Sequence, residues 1–182
     1  RKSHLVRQIQ FSFSVRRCIM LRRSLIFFLF TVSLFASCPF CPGGKAKEVQ
    51  TFYEDDLVLG IYPHIPLYED HLLIIPKRHV ERLEELTPEE MAAAFSLVQK
   101  IEKRILQADG LGNYLLLQKN GKSAGQTVPH VHFHIIAIPE GTWTTSILWR
   151  FLTDSLSSPL SEDYLKEKAA YLAEQIQAEP SW

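Results

Sequence analysis

Cysteine is scarce in this chain, and no acidic residue occurs before Glu48. Only three cysteines are found in 182 residues, and two of them lie in the segment Cys38-Pro39-Phe40-Cys41. Three cysteines do not make the disulfide framework that stabilises a small secreted domain. At 46% hydrophobic residues, the chain is instead long enough for one domain with a proper core and attached segments.

The chain is basic before Glu48 and net acidic after it. Nine of the 20 basic residues precede Glu48, so that 11 basic residues stand against 20 acidic ones in the remainder. A domain with this net negative charge is a poor general binder of polyanions, which argues against long DNA or RNA as a ligand. A small phosphate compound held by local donors fits the composition better.

The first 37 residues form a basic and apolar leader. Seven basic residues lie within residues 1–23, and the apolar run Leu25–Phe35 follows them. Since about 20 residues are needed to span a membrane, this shorter run predicts a cleaved signal peptide or a marginal anchor. The segment Phe35-Ala36-Ser37-Cys38 also resembles a lipoprotein cleavage site. We therefore expect an exported or membrane-associated protein, with a cytoplasmic one as the alternative if the leader is dispensable.

Strand patterns prevail in the part of the chain that follows. Val49–Tyr53 and Leu57–Tyr62 are rich in β-forming residues and predict a hairpin. Leu72–Ile75 and Tyr114–Gln118 are two further predicted strands. Because few helices alternate with these strands, we expect an α+β fold with an antiparallel sheet.

Two helices are predicted beside the sheet. Thr87-Pro88-Glu89-Glu90 supplies a capping threonine, a proline at the first helical position and a glutamate three residues after the cap, and Asp109-Gly110 ends this long helix. Its predicted buried stripe consists of Met91, Phe95, Val98, Ile101 and Ile105. A second stripe, in a C-terminal extension over residues 141–182, consists of Leu165, Ala169, Leu172 and Ile176. This second stripe predicts a helix that packs on the domain.

The segment Pro129–Ile136 carries three of the seven histidines at every second position. Because side chains alternate along a strand, His130, His132 and His134 would share one face while the residues between them enter the core. Imidazole carries protons near neutral pH, attacks electrophiles and binds metal ions. The pattern therefore predicts a strand with a chemical task.

A glycine-containing loop leads directly into this strand. Asn120–Thr127 contains Gly121 and Gly125 among small residues, so its backbone amides can approach a ligand closely. A loop of this kind is usually only a turn. Its position just before three histidines favours a phosphate-binding loop.

The run AGQTVPHVHFHIIAIP, residues 124–139, resembles the signature of the histidine triad (HIT) family, in which three histidines alternate with apolar residues. The runs HLLIIPKRH (71–79) and NGKSAGQ (120–126) extend the resemblance, which covers a domain over residues 38–140. It implies an antiparallel sheet with one long helix, a homodimer, and a purine nucleotide or nucleotide conjugate as ligand. Family members cleave or transfer at the α-phosphate.

The resemblance also implies different roles for the site residues. His132 would be the nucleophile that forms a covalent nucleotidyl-imidazole, and His134 would contact the phosphate or orient His132. Asn120, Gln126 and Thr127 would supply phosphate-binding groups. The chemistry is sound, since neutral imidazole attacks phosphorus well and donors around the phosphoryl oxygens stabilise the developing charge.

The two cysteines of the CPFC segment add a metal site. Their two-residue gap lets the thiolates of Cys38 and Cys41 reach one zinc ion, and two histidines would complete a tetrahedral set. In the zinc-containing, bacterial-type branch that this chain resembles, those histidines correspond to His79 and His130. Four protein ligands imply structural zinc. Lipidation of Cys38 would consume its thiol, so the zinc and lipoprotein predictions exclude each other.

One departure from the family pattern and two alternative functions accompany the resemblance. Gly60-Ile61-Tyr62-Pro63 stands where the family often has an aspartate that holds a ribose hydroxyl. Lys77 and Arg78 are expected to be solvated cations, and His71 a supporting group beside the site. We expect a hydrolase or transferase acting on a nucleotide conjugate or dinucleoside polyphosphate. The alternatives are a nucleotide-binding regulatory module with little turnover and a zinc-braced envelope scaffold.

Overall fold

The computed structural model describes residues 38–44, 47–107, 110–153 and 157–178. The predicted leader over residues 1–37 lies outside the described residues, so the signal-peptide and lipoprotein hypotheses stay predictions. Within the described part of the chain, no helix combines the length and apolar character that crossing a membrane requires.

Five strands form one antiparallel sheet. Their bounds are Thr51–Glu54 (β1), Val58–Ile61 (β2), His71–Pro76 (β3), Tyr114–Gln118 (β4) and Phe133–Ala137 (β5). The strands lie in the order β1-β2-β3-β5-β4, and every neighbouring pair is antiparallel. The predicted α+β fold is confirmed, and the strand that carries His134 lies between β3 and β4.

The first two strands form the predicted hairpin. Its turn is held by the Asp55 carboxylate, whose Oδ1 accepts the N–H groups of Leu57 and Val58 at 2.8 Å each. The predicted start of the first strand was wrong, because Lys47–Gln50 forms a short helix (α1). The Gln50 side chain at the end of α1 is buried, and its Nε2 donates to the Tyr62 carbonyl oxygen at 2.8 Å.

Three longer helices follow along the chain. They are Pro88–Ile101 (α2), Thr144–Thr153 (α3) and Glu162–Gln177 (α4). The predicted capping box starts α2, since Thr87 Oγ1 accepts the Glu90 N–H and Glu90 Oε2 accepts the Thr87 N–H. A π-helical turn over Glu102–Leu106 continues α2. The cap thus fixes both the start of α2 and the direction in which each of its residues points.

The predicted buried stripe of α2 needs a correction. The buried apolar residues of the helix are Ala94, Leu97, Val98 and Ile101. Phe95 is 44% exposed, and its ring meets Phe133 edge-on at a centroid distance of 5.7 Å. The prediction is confirmed for Val98, Ile101 and Ile105, which are buried, and Met91 packs partly buried against the core. It was wrong at Phe95, where it favoured a large side chain over the small Ala94 that is buried instead.

The two faces of the sheet differ in what covers them. The face towards α2 and α4 holds the larger core. The predicted stripe of α4 is buried there, as Leu165, Ala169, Leu172 and Ile176. On the opposite face, a smaller cluster consists of Phe40, Leu59, Ile61, Leu73 and Ile75. Since β3 and β5 pair Leu73 with His134, the histidines lie on the face of the smaller cluster.

Candidate active site and metal centre

The three alternating histidines do not all lie in a strand. β5 begins at Phe133, so His130 and His132 precede it, and only His134 is a strand residue. The ladder of β3 and β5 ends at the pair of Ile74 and Phe133, and the Val131 N–H donates instead to the Val80 carbonyl oxygen at 2.8 Å. The expectation that all three histidines share a strand was therefore wrong. The extended chain still brings His132 and His134 together, with ring centroids 4.9 Å apart.

One hydrogen bond determines which nitrogen of His132 is available. His132 Nδ1 donates to the His130 carbonyl oxygen at 2.7 Å, so that Nε2 keeps its lone pair. The side chain is only 6% exposed, and burial lowers the pKa of His132 below its ordinary value. The imidazole is therefore neutral at pH 7, with a lone pair at Nε2.

A chain of hydrogen bonds places a proton on Nε2 of His134, where His132 has a lone pair. The Leu67 N–H donates to His71 Nδ1 at 3.0 Å, which places the proton of His71 on its Nε2. That proton is donated to His134 Nδ1 at 2.9 Å, and the proton of His134 is thereby placed on Nε2. His134 Nε2 is buried and has no hydrogen-bond partner among the described residues. It is a donor that lacks an acceptor.

Burial keeps both members of this relay neutral. It lowers the pKa of His71 to about 3 and that of His134 to about 2, and the neighbouring His132 adds to both shifts. At pH 7 one nitrogen of each ring therefore donates and the other accepts. The sequence indicated a supporting role for His71, and the structure supplies the hydrogen bond through which it would act.

The four predicted metal ligands lie together. The ligand atoms of Cys38, Cys41, His79 and His130 all lie within 4.8 Å of one another. Cys41 Sγ lies 3.2 Å from His79 Nδ1 and 3.8 Å from His130 Nδ1, and Cys38 Sγ lies 3.4 Å from His130 Nδ1. Zinc–sulfur and zinc–nitrogen bonds of ordinary length at tetrahedral angles would separate such atoms by ~3.5 Å. The donor set fits a zinc ion.

The surroundings of the cluster favour the same chemistry. His130 Nε2 donates to the Pro76 carbonyl oxygen at 2.8 Å, which leaves the Nδ1 lone pair directed at the thiols. Burial, and then the neighbouring Cys38, raise the pKa of the Cys41 thiol to about 11. A metal ion that binds here would have to displace this proton. Metal binding is therefore expected to weaken as the pH falls.

Phe40 connects the metal cluster with the reactive histidine. Its ring centroid lies 5.9 Å from that of His130 and 5.3 Å from that of His132, edge-on in both cases. Because Phe40 belongs to the segment between Cys38 and Cys41, any ion that fixes this segment also fixes the ring beside His132.

The loop before the histidines is closed by its own hydrogen bonds. Gly121 and Gly125 both adopt positive φ angles, +94° and +82°, which other residues rarely adopt. Gln126 Oε1 accepts the Gly121 N–H at 2.7 Å, and Gln126 Nε2 donates to the Glu81 carbonyl oxygen at 2.9 Å. The buried Gln126 side chain therefore holds the loop in shape.

Asn120 and Thr127, the other two predicted phosphate ligands, differ in whether their side chains are already hydrogen-bonded to the protein. Asn120 Oδ1 accepts the Leu83 N–H at 3.0 Å, and Asn120 Nδ2 donates to Glu84 at 2.9 Å. Thr127 is exposed and forms no hydrogen bond through its hydroxyl group to another described residue. Of the three side chains predicted to bind phosphate, Thr127 is the one with an available hydroxyl group.

Lys119 also belongs to this site, and the sequence analysis did not single it out. It directly follows β4, and the register of β4 and β5 places it opposite His132. Its position one residue after a predicted strand and just before the glycine loop is the signal that could have identified it. The expected surface cations Lys77 and Arg78 do reach the surface, where they form salt bridges to Glu54 at 2.9 Å and to Glu90 at 2.6 Å.

Comparison with known proteins agrees with the fold. A family model described as the HIT domain matches residues 45–140. An adenosine 5'-monophosphoramidase of Schizosaccharomyces pombe is 34% identical and aligns with 77% of this chain and 98% of its own length. The chain therefore belongs to the HIT domain family, whose related members include nucleotide hydrolases.

Other relatives differ in the reaction that their names describe. An adenylylsulfatase of Arabidopsis thaliana is 46% identical over 54% of this chain, and the chain spans only 51% of its length. Among solved structures, a zinc-bound histidine triad family protein from Mycobacterium smegmatis matches with a TM-score of 0.58 and 29% identity, over 77% of this chain and 93% of its own. A hypothetical histidine triad nucleotide-binding protein from Sulfolobus tokodaii has a TM-score of 0.61 and 27% identity, over 77% and 92%.

Proposed function

We propose that this protein is a hydrolase or transferase that cleaves nucleotide conjugates at the α-phosphate through a covalent nucleotidyl-histidine. The observation that carries the proposal is a pair of neighbouring imidazoles, one with an available lone pair and the other with an available proton. His132 offers a lone pair at Nε2, and His134 offers a proton at Nε2. Family membership and the relatives named as nucleotide hydrolases support the same conclusion.

The first step transfers the nucleotide to the protein. The Nε2 lone pair of His132 forms a bond to the α-phosphorus, while the bond from phosphorus to the leaving group breaks and its electron pair goes to the leaving group. The unpartnered Nε2 proton of His134 bonds to a phosphoryl oxygen and stabilises its growing negative charge. The His71 hydrogen bond holds the His134 ring in the tautomer that this requires.

The second step releases the nucleotide. A water oxygen forms a bond to phosphorus, the bond from phosphorus to His132 Nε2 breaks, and its electron pair returns to the nitrogen. The water proton passes to solvent, and a nucleoside monophosphate leaves. An acceptor other than water would give transfer in place of hydrolysis by the same route.

The phosphate contacts come from one side chain and the backbone of the loop. Thr127 supplies an exposed hydroxyl group next to the histidines. Asn120 and Gln126 act through their hydrogen bonds to the protein, which keep the loop in place. The family's ribose-binding aspartate has no counterpart in the segment Gly60-Ile61-Tyr62-Pro63, so recognition of the ribose would rest on other groups.

We assign a structural zinc ion to the cluster of Cys38, Cys41, His79 and His130. The distances between the donor atoms support this assignment, as does the similarity to a zinc-bound family member. When bound, the ion would cross-link the chain before β1 to the segments after β3 and before β5. With four protein ligands it would have no open position for substrate. The zinc ion would therefore be structural, and His132 would be the nucleophile.

We further propose a homodimer formed around the edge strand β4. Two of its apolar residues, Tyr114 and Leu116, are 40% and 37% exposed, and Phe95 of α2 is also exposed. An apolar edge strand is a ready site for pairing with a second sheet. Sedimentation of the full chain should show a dimer, and Leu116→Arg should shift it to the monomer. An unchanged distribution in the variant would place the contact elsewhere.

Turnover of a small substrate panel tests the proposed function. The full chain is incubated with adenosine 5'-phosphoramidate, adenosine 5'-phosphosulfate and diadenosine tetraphosphate, and release of adenosine monophosphate is measured. The proposal predicts turnover of at least one conjugate and its loss in His132→Asn. Binding of nucleotide without turnover of any conjugate would instead support the regulatory module. The leader remains a prediction of export or membrane association, which fractionation of cells would decide.

A further inference from the structure

Lys119 directly follows β4, the strand next to the one that the reactive histidine precedes. The last pairs of the β4 and β5 ladder are Leu117 with His134 and Gln118 with Phe133. One residue beyond the ladder, the same register would set Lys119 opposite His132, and after burial and a backbone hydrogen bond the charge of Lys119 acts on the pKa of His132 and helps to lower it. Side chains alternate along both strands, so Lys119 lies on the face that carries His132 and His134. Residues directly opposite in an antiparallel pair have Cβ atoms roughly 4.5 to 5.5 Å apart.

The stem of Lys119 also borders the glycine loop. A Cβ atom added at Gly125 would lie 3.7 Å from Lys119 Cδ. The ammonium group faces the aromatic ring of Phe151 on α3, at 5.6 Å from its centroid. Contact with an aromatic ring is weak compared with a charge-assisted hydrogen bond to an anion. The ammonium group can therefore leave the ring when an anion is offered.

Among the described residues, Lys119 lacks a carboxylate partner, as does the exposed Lys122 of the glycine loop, whereas the other cations of the neighbouring segments are paired. Three other cations of the segments beside the site form salt bridges. The pairs are Lys77 with Glu54, Arg78 with Glu90 and Arg82 with Glu84. Within the described part of the chain, Lys119 forms no salt bridge. After burial and the two neighbouring histidines, its charge also contributes to the lowered pKa of His134, so the positive field reaches the site.

We infer that Lys119 makes the site selective for nucleotide conjugates whose leaving group is anionic, such as a sulfate or a phosphate chain, over conjugates with an amine leaving group. The inference rests on the proposed function and names its substrate class. When a bond from phosphorus to oxygen breaks, its electron pair adds negative charge to the leaving oxygen, and a nearby ammonium group stabilises that charge. An amine takes up a proton as it leaves and gains little from the same cation.

Two variants of Lys119 separate its charge from its packing. Lys119→Met keeps an unbranched stem and removes the charge, whereas Lys119→Arg keeps the charge. Lys166→Met is the matched control, because Lys166 is exposed on α4 and the helix packs on the other face of the sheet. For each protein, kcat and KM are measured with adenosine 5'-phosphosulfate and with adenosine 5'-phosphoramidate.

The inference predicts a change in the ratio of the two activities. Lys119→Met should lower kcat/KM for the phosphosulfate by about 10- to 100-fold, the size of one charge-assisted hydrogen bond, and change that for the phosphoramidate little. Lys119→Arg should restore most of the loss, and Lys166→Met should leave both values unchanged. An equal loss with both substrates, or no loss with either, would overturn the inference.

A separate binding measurement distinguishes failure of the inference from failure of the proposed function. If the parent protein turns over none of the three conjugates of the panel, the proposed function fails. Calorimetric affinities for adenosine mono- and diphosphate then test Lys119, because the β-phosphate occupies the position of an anionic leaving group. Selective loss of diphosphate affinity in Lys119→Met supports the role of the charge, and equal affinities in parent and variant contradict it.

Discussion

His130 and His132 lie two residues apart and differ in which ring nitrogen donates a hydrogen bond to a backbone carbonyl. His130 donates from Nε2 to the Pro76 carbonyl oxygen and directs Nδ1 at two thiols. His132 donates from Nδ1 to the His130 carbonyl oxygen and keeps Nε2 free. The ring is the same and both are buried. In each case one backbone carbonyl determines which nitrogen keeps its lone pair, and the groups around that nitrogen determine what it can bind.

The comparison shows that periodicity alone does not assign chemistry to a histidine. Both rings belong to one alternating pattern, but the metal cluster includes only the first. The second lies beside His134 and, through the register of β4 and β5, opposite Lys119. Removing each ring in turn should therefore give different losses.

Replacement of His132 should give the largest loss of activity. His132→Asn removes the nucleophile, and we expect the turnover rate to fall roughly a thousandfold or more. The metal cluster does not include this ring, so zinc content and the thermal midpoint should change little. Steady-state kinetics and metal analysis of the same preparations measure both. Loss of zinc in parallel with activity would show that the two histidines are not separable.

Replacement of Cys41 should reverse that pattern. Cys41→Ser removes one of four ligands, so we expect less than about half an equivalent of zinc and a lower Tm. Activity should fall less than in His132→Asn, because the effect reaches His132 only through the Phe40 segment. His64→Asn is the control, since His64 is exposed and lies outside the cluster. Full zinc content in Cys41→Ser would contradict the four-ligand assignment.

Replacement of His71 should have a smaller effect, and one confined to catalysis. His71→Asn removes the donor that holds the tautomer of His134, and one hydrogen bond corresponds to about a tenfold decrease in kcat. We expect KM and zinc content to change little, and His71→Gln, with a longer amide, to recover part of the loss. If KM rises and kcat stays constant, His71 does not act through His134.

The pH dependence of stability should be the smallest effect. The pKa values of His71 and His134 are about 3 and about 2 in the folded protein, because burial disfavours their charged forms. Both rings are neutral in both states above pH 6.5. As the pH falls below 6.5, the unfolded chain takes up protons first, so the free energy of unfolding should decrease by about 1 to 2 kcal/mol between pH 6.5 and 5.5.

Urea unfolding at several pH values measures this decrease. His71→Asn removes one of the two titrating rings, so its stability should depend less steeply on pH than that of the parent. Identical slopes in the two proteins would mean that His71 is not buried as a neutral ring.

Much of the fold could be predicted because its signals are local. The capping box of Thr87 and Glu90 and the turn at Asp55 depend on residues within a few positions of each other. The stripe of α2 was wrong only at Phe95, since side-chain size alone does not show which residue faces the sheet. The pairing of β5 also stops earlier than the alternation suggests, because the Val131 N–H donates to the Val80 carbonyl oxygen, a contact that the sequence does not reveal.

The site could be predicted only where one segment carries the chemistry. His132 and His134 lie in a recognisable run, and the four metal ligands follow known spacings. Register across the sheet is not visible in the sequence, which is why Lys119 was missed. The hydrogen bonds of Asn120 and Gln126 to residues more than 35 positions away, Leu83 and Glu81, were equally hidden.

The covalent intermediate on His132 tests the account most directly. The full chain is mixed with a turned-over conjugate, quenched in base during the first turnover to preserve a phosphorus–nitrogen bond, and digested for mass spectrometry. We predict one added nucleoside monophosphate on His132 in the parent and none on this peptide in His132→Asn. A nucleotide adduct on His130 or His134, or normal turnover without any adduct, would contradict the account.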